Sequence, residues 1–188
     1  MTPAEFQRIH DSYRPRVLRY LTHLVGERDA EDLAQTVMLK VSGGLPGFRH
    51  DSSLSTWIYR IATNVAMDKL RVPVREQALE REDDVDEGDA LPDARAPSAE
   101  AIAIRSEMSA CIREFIDHLP ETYRTVMVLS EIEGFRNAEI AAVLGVSLET
   151  VKIRLHRARE RLRSDLQEGC SFHREERTGL ACDRKSTA

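Results

Sequence analysis

Lys152, Arg154, Arg157 and Arg161 stand close together in the chain, beside Thr150 and Ile153. Guanidinium groups grip phosphate oxygens and pair bidentately with guanine edges. A hydroxyl hydrogen-bonds base edges, and an exposed aliphatic side chain packs on a thymine methyl. This is the chemistry of contact with duplex DNA, with no bond made or broken. At about 100° per residue, Glu149, Thr150, Ile153, Arg154, Arg157 and Arg161 share one helical face, with Lys152 and Arg159 near its edge. Val151, Leu155, Ala158 and Leu162 recur at i, i+4, i+7 and i+11 and make an apolar stripe on the other face.

The elements around this face are those of a helix-turn-helix. A preceding short helix carries Ile140, Ala141 and Leu144, with a small residue where two helices cross closely. Gly145 permits a left-handed turn that a side chain would penalise. The Ser147 hydroxyl is placed to cap the second helix and joins the candidate contact residues. The expected geometry puts the second helix in a major groove.

A second face lies in the segment SLSTWIYRIATNVAMDKLR. Ile58, Ile61, Ala62 and Val65 form its apolar side. Trp57 lies beside that apolar side, and Arg60, Asn64, Met67 and Arg71 line the opposite one, flanked by Tyr59 and Thr63. Cations, an amide and stacking surface are the parts of a single-stranded nucleic-acid site. A loop containing Phe48, Arg49, His50, Asp51 and Ser53 leads into this helix. Upstream, a helix ends near Gly26. The next is expected to be capped by Asp29, to bury Leu33, Val37, Met38 and Val41, and to show Asp32, Gln35 and Lys40 outward before Gly43, Gly44, Pro46 and Gly47 break it.

Charge separates these blocks. Residues 1–75 carry 11 Lys/Arg against 8 Asp/Glu, residues 76–100 carry 2 against 10, and residues 101–169 carry 10 against 11. The net charge of −5 therefore hides a basic footprint behind an acidic segment that holds Pro92 and Pro97. That segment is too polar to build a core and reads as a flexible linker. Few aromatic residues and few β-branched alternations favour an all-α chain. The N-terminus has no apolar signal-peptide core, and no run reaches membrane-spanning length, which places the expected protein in the cytoplasm without membrane insertion. No glycine-rich phosphate loop and no Ser/His/Asp ordering appears, so no enzyme is expected and no cofactor is required.

The tail after Gly169, CSFHREERTGLACDRKSTA, sets Cys170, His173 and Cys182 as candidate ligands for zinc or another transition metal. Three readings stay open there: incidental thiols, a metal site, or a redox-active Cys170–Cys182 pair. Cys111, on the face Ile104, Met108, Cys111 and Phe115, is expected in the core.

Two blocks then resemble a family. DAEDLAQTVMLKV with LPGFRHDSSLSTWIYRIATNVAMDKLR is similar to region two of extracytoplasmic function (ECF) sigma factors. LPETYRTVMVLSEIEGFRNAEIAAVLGVSLETVKIRLHRARERLR is similar to their region four. The resemblance implies a region 2 bundle over 1–75, a linker over 76–100, a region 4 helix-turn-helix over 101–168 and an extension over 169–188. It implies binding to the clamp helices of core RNA polymerase through Asp29, Asp32, Gln35 and Lys40. It assigns the −10 element to Phe48, Arg49, Ser53, Trp57, Tyr59, Arg60, Asn64 and Arg71, and the −35 element to the recognition helix. It also implies an anti-sigma partner and a stress, metal or redox regulon. Arg136 stands where the family has a capping serine, which moves the expected cap to Asn137. The competing expectation is a dimeric helix-turn-helix regulator with a metal- or redox-sensing tail, reading symmetric half-sites without polymerase.

Overall fold

Gly26 separates the first two helices, with a φ of 83° that only a residue lacking a Cβ adopts freely. The computed structural model describes residues 3–70, 111–175 and 179–185. Helix α1 covers Pro3–Val25 and α2 covers Glu27–Gly44. The expected Asp29 cap does not form. Gly26 is the N-cap, without a side-chain bond, and Asp29 falls in the first turn, where it pairs with Lys69 at 3.1 Å. An acid there still faces the positive end of the helix dipole. Ala30, Ala34, Val37, Met38 and Val41 form the buried face of α2, while Leu33 is only half-buried. A 3₁₀ turn, Leu45–Gly47, ends the run of glycines. Helix α3, Leu54–Leu70, starts at Ser53, whose Oγ accepts the Thr56 N–H at 3.0 Å.

The second block begins with helical residues 111–117 (α4), followed by α5, Glu121–Met127. A π-helical turn, Val128–Ile132, then widens the backbone, and the Glu133 N–H reaches back to the Val128 carbonyl at 3.0 Å. Helix α6 covers Asn137–Leu144 and α7 covers Leu148–Gly169. Asn137 is the first residue of α6 and not its cap. Arg136 holds the cap position, and its N–H is satisfied by the Glu139 carboxylate at 2.9 Å. Between α6 and α7, Gly145 takes a φ of 68° and donates its N–H to Ala141 O at 2.9 Å. A Cβ at Gly145 would meet nothing within 4 Å, so its substitution is penalised by backbone geometry alone. Gly145→Ala is accordingly expected to lower stability by about 1–2 kcal/mol in urea unfolding. An unchanged midpoint would show that the turn is not held in the left-handed region.

The all-α expectation holds for both blocks, and the tail adds one exception. Strands β1, Cys170–Glu175, and β2, Gly179–Arg184, form an antiparallel hairpin with Cys170 opposite Arg184 and Phe172 opposite Cys182. Sequence reasoning also treated the two helical blocks as separate, whereas their apolar residues join in one core. Tyr59 of α3 meets Phe135 edge-on at 4.7 Å between ring centroids and Tyr20 of α1 at 5.1 Å. Residues 71–110, with the acidic segment 76–100, lie outside the described residues. No helix among the described residues is long and apolar enough to cross a membrane.

Candidate nucleic-acid interface

Helix α7 starts where Ser147 Oγ accepts the Thr150 N–H at 3.0 Å and lies 2.8 Å from Thr150 Oγ1. The two hydroxyls thus order the first turn before any ligand arrives. Val151, Leu155, Ala158 and Leu162 are buried as their spacing requires. On the outer side, Lys152 and Arg157 are exposed and have no ion pair among the described residues. Ile153 is half-buried. Arg161 is exposed but pairs with Asp165 at 3.1 Å, and Arg159 pairs with Glu131 at 2.9 Å. The N-terminal half of α7 therefore presents unneutralised cations, while acids offset the C-terminal half.

Arg154 departs from the reading that sent it straight outward. It lies only about 40° from the buried stripe on the helical wheel, while Lys152 is about 60° from it. Arg154 is accordingly half-buried and Lys152 exposed. Burial lowers the Arg154 pKa from its ordinary value, and nearby Tyr123 opposes that shift. Its guanidinium packs along the rim of the core as well as carrying charge.

The α3 face is built differently from its expected form. Arg60 is exposed, yet its Nε and Nη2 donate to the Ala142 carbonyl of α6 at 2.9 and 2.5 Å. Asn64 is exposed. Trp57 is half-buried against Phe48, whose ring lies 5.1 Å away, and Phe48 also meets His50 at 4.6 Å. His50 has a φ of 60°, in the left-handed region. Arg49 is exposed, and the hydroxyl of Ser53 is occupied in capping α3. Tyr59 corrects the expectation of a surface residue: it is fully buried and its hydroxyl donates to Glu133. Arg71 lies outside the described residues.

That Glu133 contact is part of a join between the blocks. The Glu133 side chain is fully buried, and one carboxylate oxygen accepts from Arg19 Nε at 3.0 Å and Nη2 at 2.7 Å. The other accepts from Tyr59 and lies 3.7 Å from Arg16 Nε. Burial, reinforced by the hydrogen bond to Glu133, holds the Tyr59 phenol well above its ordinary pKa. His23 Nδ1 and Asp117 Oδ1, at 2.5 Å, make a second polar bridge. With Arg60 on Ala142, these contacts dock α1 and α3 against the second block.

On α2, Asp32, Gln35 and Lys40 are exposed, and Asp29 is partly covered by its pairing with Lys69. Leu39, missed by sequence reasoning, is 67% exposed beside them. Its signal was an apolar residue four positions after Gln35 on an otherwise polar face. Together with Phe6, His10, Arg14, Glu31 and Gln35 it lines an open groove between α1 and α2.

Two of the three proposed metal ligands can be placed, Cys170 and His173. Cys170 is buried, whereas His173 is exposed, and three residues apart on one strand they fall on opposite faces. The side chain of Cys182 lies outside the described residues. No group of three metal-binding side chains occurs among the described residues. Cys111 is half-buried, and its sulfur lies 3.9 Å from that of Cys170.

Comparison with known proteins follows the same division into blocks. The family models described as Sigma-70 region 2 and Sigma-70, region 4 match residues 9–75 and 109–162. The chain is 32% identical over 169 residues to "ECF RNA polymerase sigma factor SigW" of Bacillus subtilis (strain 168), covering 87% of this chain and 89% of the relative. It is 35% identical over 161 residues to "RNA polymerase sigma-H factor" of Pseudomonas aeruginosa, covering 82% of each. Among solved structures, CnrH in complex with the cytosolic domain of CnrY has the same fold, with a TM-score of 0.62 at 24% identity over 89% of this chain and 90% of that one. Sigma factor RpoE in complex with the anti-sigma factor NepR from Bartonella quintana gives 0.61 at 22% identity over 87% and 97%.

Proposed function

The chain belongs to the ECF RNA polymerase sigma factors, and from that premise we propose how its surfaces divide the work. It is a transcription initiation factor and not an enzyme: it binds core RNA polymerase and directs it to promoters, while the polymerase makes the RNA. Helix α7 reads the −35 element in a major groove. Thr150, Lys152 and Arg157 approach the bases and phosphates, with Ser147, Ile153, Arg154 and Arg161 at the margins. The observation that carries this assignment is the Gly145 turn and Ser147 cap at the start of α7, with Lys152 and Arg157 exposed and in no ion pair among the described residues.

The loop Phe48–Ser53 and the α3 residues Trp57, Arg60 and Asn64 serve the −10 element, where stacking and amide contacts hold an opened strand. Tyr59 supports that face from beneath. Asp32, Gln35, Lys40 and Leu39 form the polymerase-facing surface of α2, and the protein works in the cytoplasm, where its polymerase is. Because Arg60 is held by Ala142, promoter reading begins with separation of α3 from α6. An anti-sigma partner that binds between the blocks would act on the same equilibrium. The 3.9 Å approach of the Cys111 and Cys170 sulfurs suits a regulon that responds to redox state.

The test is transcription with purified core polymerase on a genomic-fragment library. New starts sharing −35 and −10 sequences at one spacing are expected. Asp32→Lys should reduce core-polymerase affinity about tenfold through reversed charge, with no change in unfolding. Absence of polymerase-dependent starts, with tight binding of the protein alone to palindromic DNA, would instead establish a dimeric regulator.

A further inference from the structure

We propose that Cys111 and Cys170 are a peroxide-responsive thiol pair whose disulfide staples the start of the C-terminal helical unit to the end of α7. Their sulfurs are 3.9 Å apart although 59 positions separate them in sequence. A disulfide bond is about 2.05 Å long, so the approach still needed is small. Neither residue is in a disulfide in this structure.

The surroundings hold the pair together. Cys170 caps α7, with its N–H on the Leu166 carbonyl. One residue earlier, a Cβ on Gly169 would come within 2.6 Å of the Phe115 ring, so α4 and the end of α7 approach as closely as glycine allows. The hairpin closes over this contact. The Lys185 N–H donates to Gly169 O at 2.9 Å, Arg184 pairs with Glu114 at 2.7 Å, and the Arg184 guanidinium lies 5.7 Å from the Phe115 centroid.

Access gives the two sulfurs different roles. Cys111 is partly exposed, whereas Cys170 is 2% exposed. The Arg184 pKa is raised first by its hydrogen bond to Glu114 and, to a smaller extent, by the neighbouring Cys111. The more accessible sulfur is the one that peroxide reaches first. The Cys111 thiolate attacks one oxygen of hydrogen peroxide. An S–O bond forms, the O–O bond breaks, and the leaving hydroxide takes a proton to become water. The Cys170 sulfur then attacks the sulfenic sulfur of Cys111. The S–S bond forms, the S–O bond breaks, and the hydroxyl leaves as water with the proton of Cys170. The two sulfurs are oxidised, one peroxide is reduced to two waters, and a dithiol reverses the reaction.

The resulting covalent loop encloses α4, α5, α6 and all of α7, and so includes the recognition helix. It differs from the Cys170–Cys182 pair and from a metal site at the tail, because each would use the one Cys170 sulfur for a different partner. The thiol chemistry stands apart from the sigma-factor assignment, and only its effect on transcription rests on that reading.

The test uses the full-length reduced protein, treated with hydrogen peroxide, alkylated and digested without reductant. A Cys111–Cys170 linked peptide is expected, together with loss of two of the three alkylatable thiols and a mass decrease of two hydrogens, all restored by dithiothreitol. Cys182→Ser should leave the link intact, and Cys170→Ser should abolish it. A bond through Cys182, a bond only between chains, or stable sulfenic or sulfinic acid without a bond would each overturn the proposal. So would retention of all three thiols. Promoter binding is measured separately on the oxidised and reduced protein, so a failed sigma assignment is not confused with a failed disulfide.

Discussion

Alanine at both Lys152 and Arg157 is expected to remove most −35-dependent transcription while leaving the protein folded. Both side chains are exposed and neither has an ion pair among the described residues, so their loss breaks no internal contact. A basic side chain on a phosphate contributes to binding at every sequence, while a bidentate contact to a base is worth about 1–3 kcal/mol of discrimination. Two such groups together should lower affinity for promoter DNA, measured with the holoenzyme, by roughly two orders of magnitude. If both contact phosphate, the slope of log affinity against log salt should fall by about two. If one reads a base, the loss should concentrate at one promoter position. Arg161→Ala should do much less, because Asp165 already neutralises that guanidinium. Equal loss from Arg161→Ala and the double variant would sink the assignment of contact to the N-terminal half of α7.

What was legible in the sequence had a local cause. The turn at Gly145, the cap at Ser147 and the buried stripe from Val151 to Leu162 each depend on residues within a few positions, and all three are present. Arg154 was misplaced because facing outward is a matter of degree, and a wheel position near the stripe leaves a long side chain half-covered. The Asp29 and Asn137 caps failed by one or more positions because Gly26 and Arg136 took the cap positions without needing a side-chain acceptor. Tyr59 flanks the Arg60 and Asn64 face on the helical wheel, which predicts a surface position. Its burial comes from Phe135 and Glu133, more than 70 positions away, and no helical periodicity carries that information. The hairpin was missed for a related reason: its strands have weak alternation and close against α4 and α7 through Arg184 and Lys185.

Replacing Glu133 with alanine is expected to open the contact between the two blocks more than it unfolds either one. Among the described residues Glu133 is the only buried acid, and both of its oxygens are used across the join. Removing it strands the Tyr59 hydroxyl in the core and releases Arg19 and Arg16. An unsatisfied buried donor costs about 1–3 kcal/mol, and hydrogen bonds to a charged group contribute about 1.5–3 kcal/mol. Arg19 and Arg16 are 50% and 42% exposed, so water recovers part of that loss. A net shift of about 3 kcal/mol changes the ratio of closed to open protein by roughly a hundredfold. The sign follows from Arg60: in the closed arrangement its guanidinium serves Ala142, so opening makes it available to a −10 strand. Binding of the isolated protein to single-stranded −10 DNA should therefore rise, and the distance between labels on α3 and α6 should broaden. Glu133→Gln, which can still accept from Tyr59 but cannot neutralise the arginines, should fall between wild type and alanine. An unchanged label distance together with a large loss of thermal stability would mean that Glu133 supports the fold of its own block and does not hold the two together.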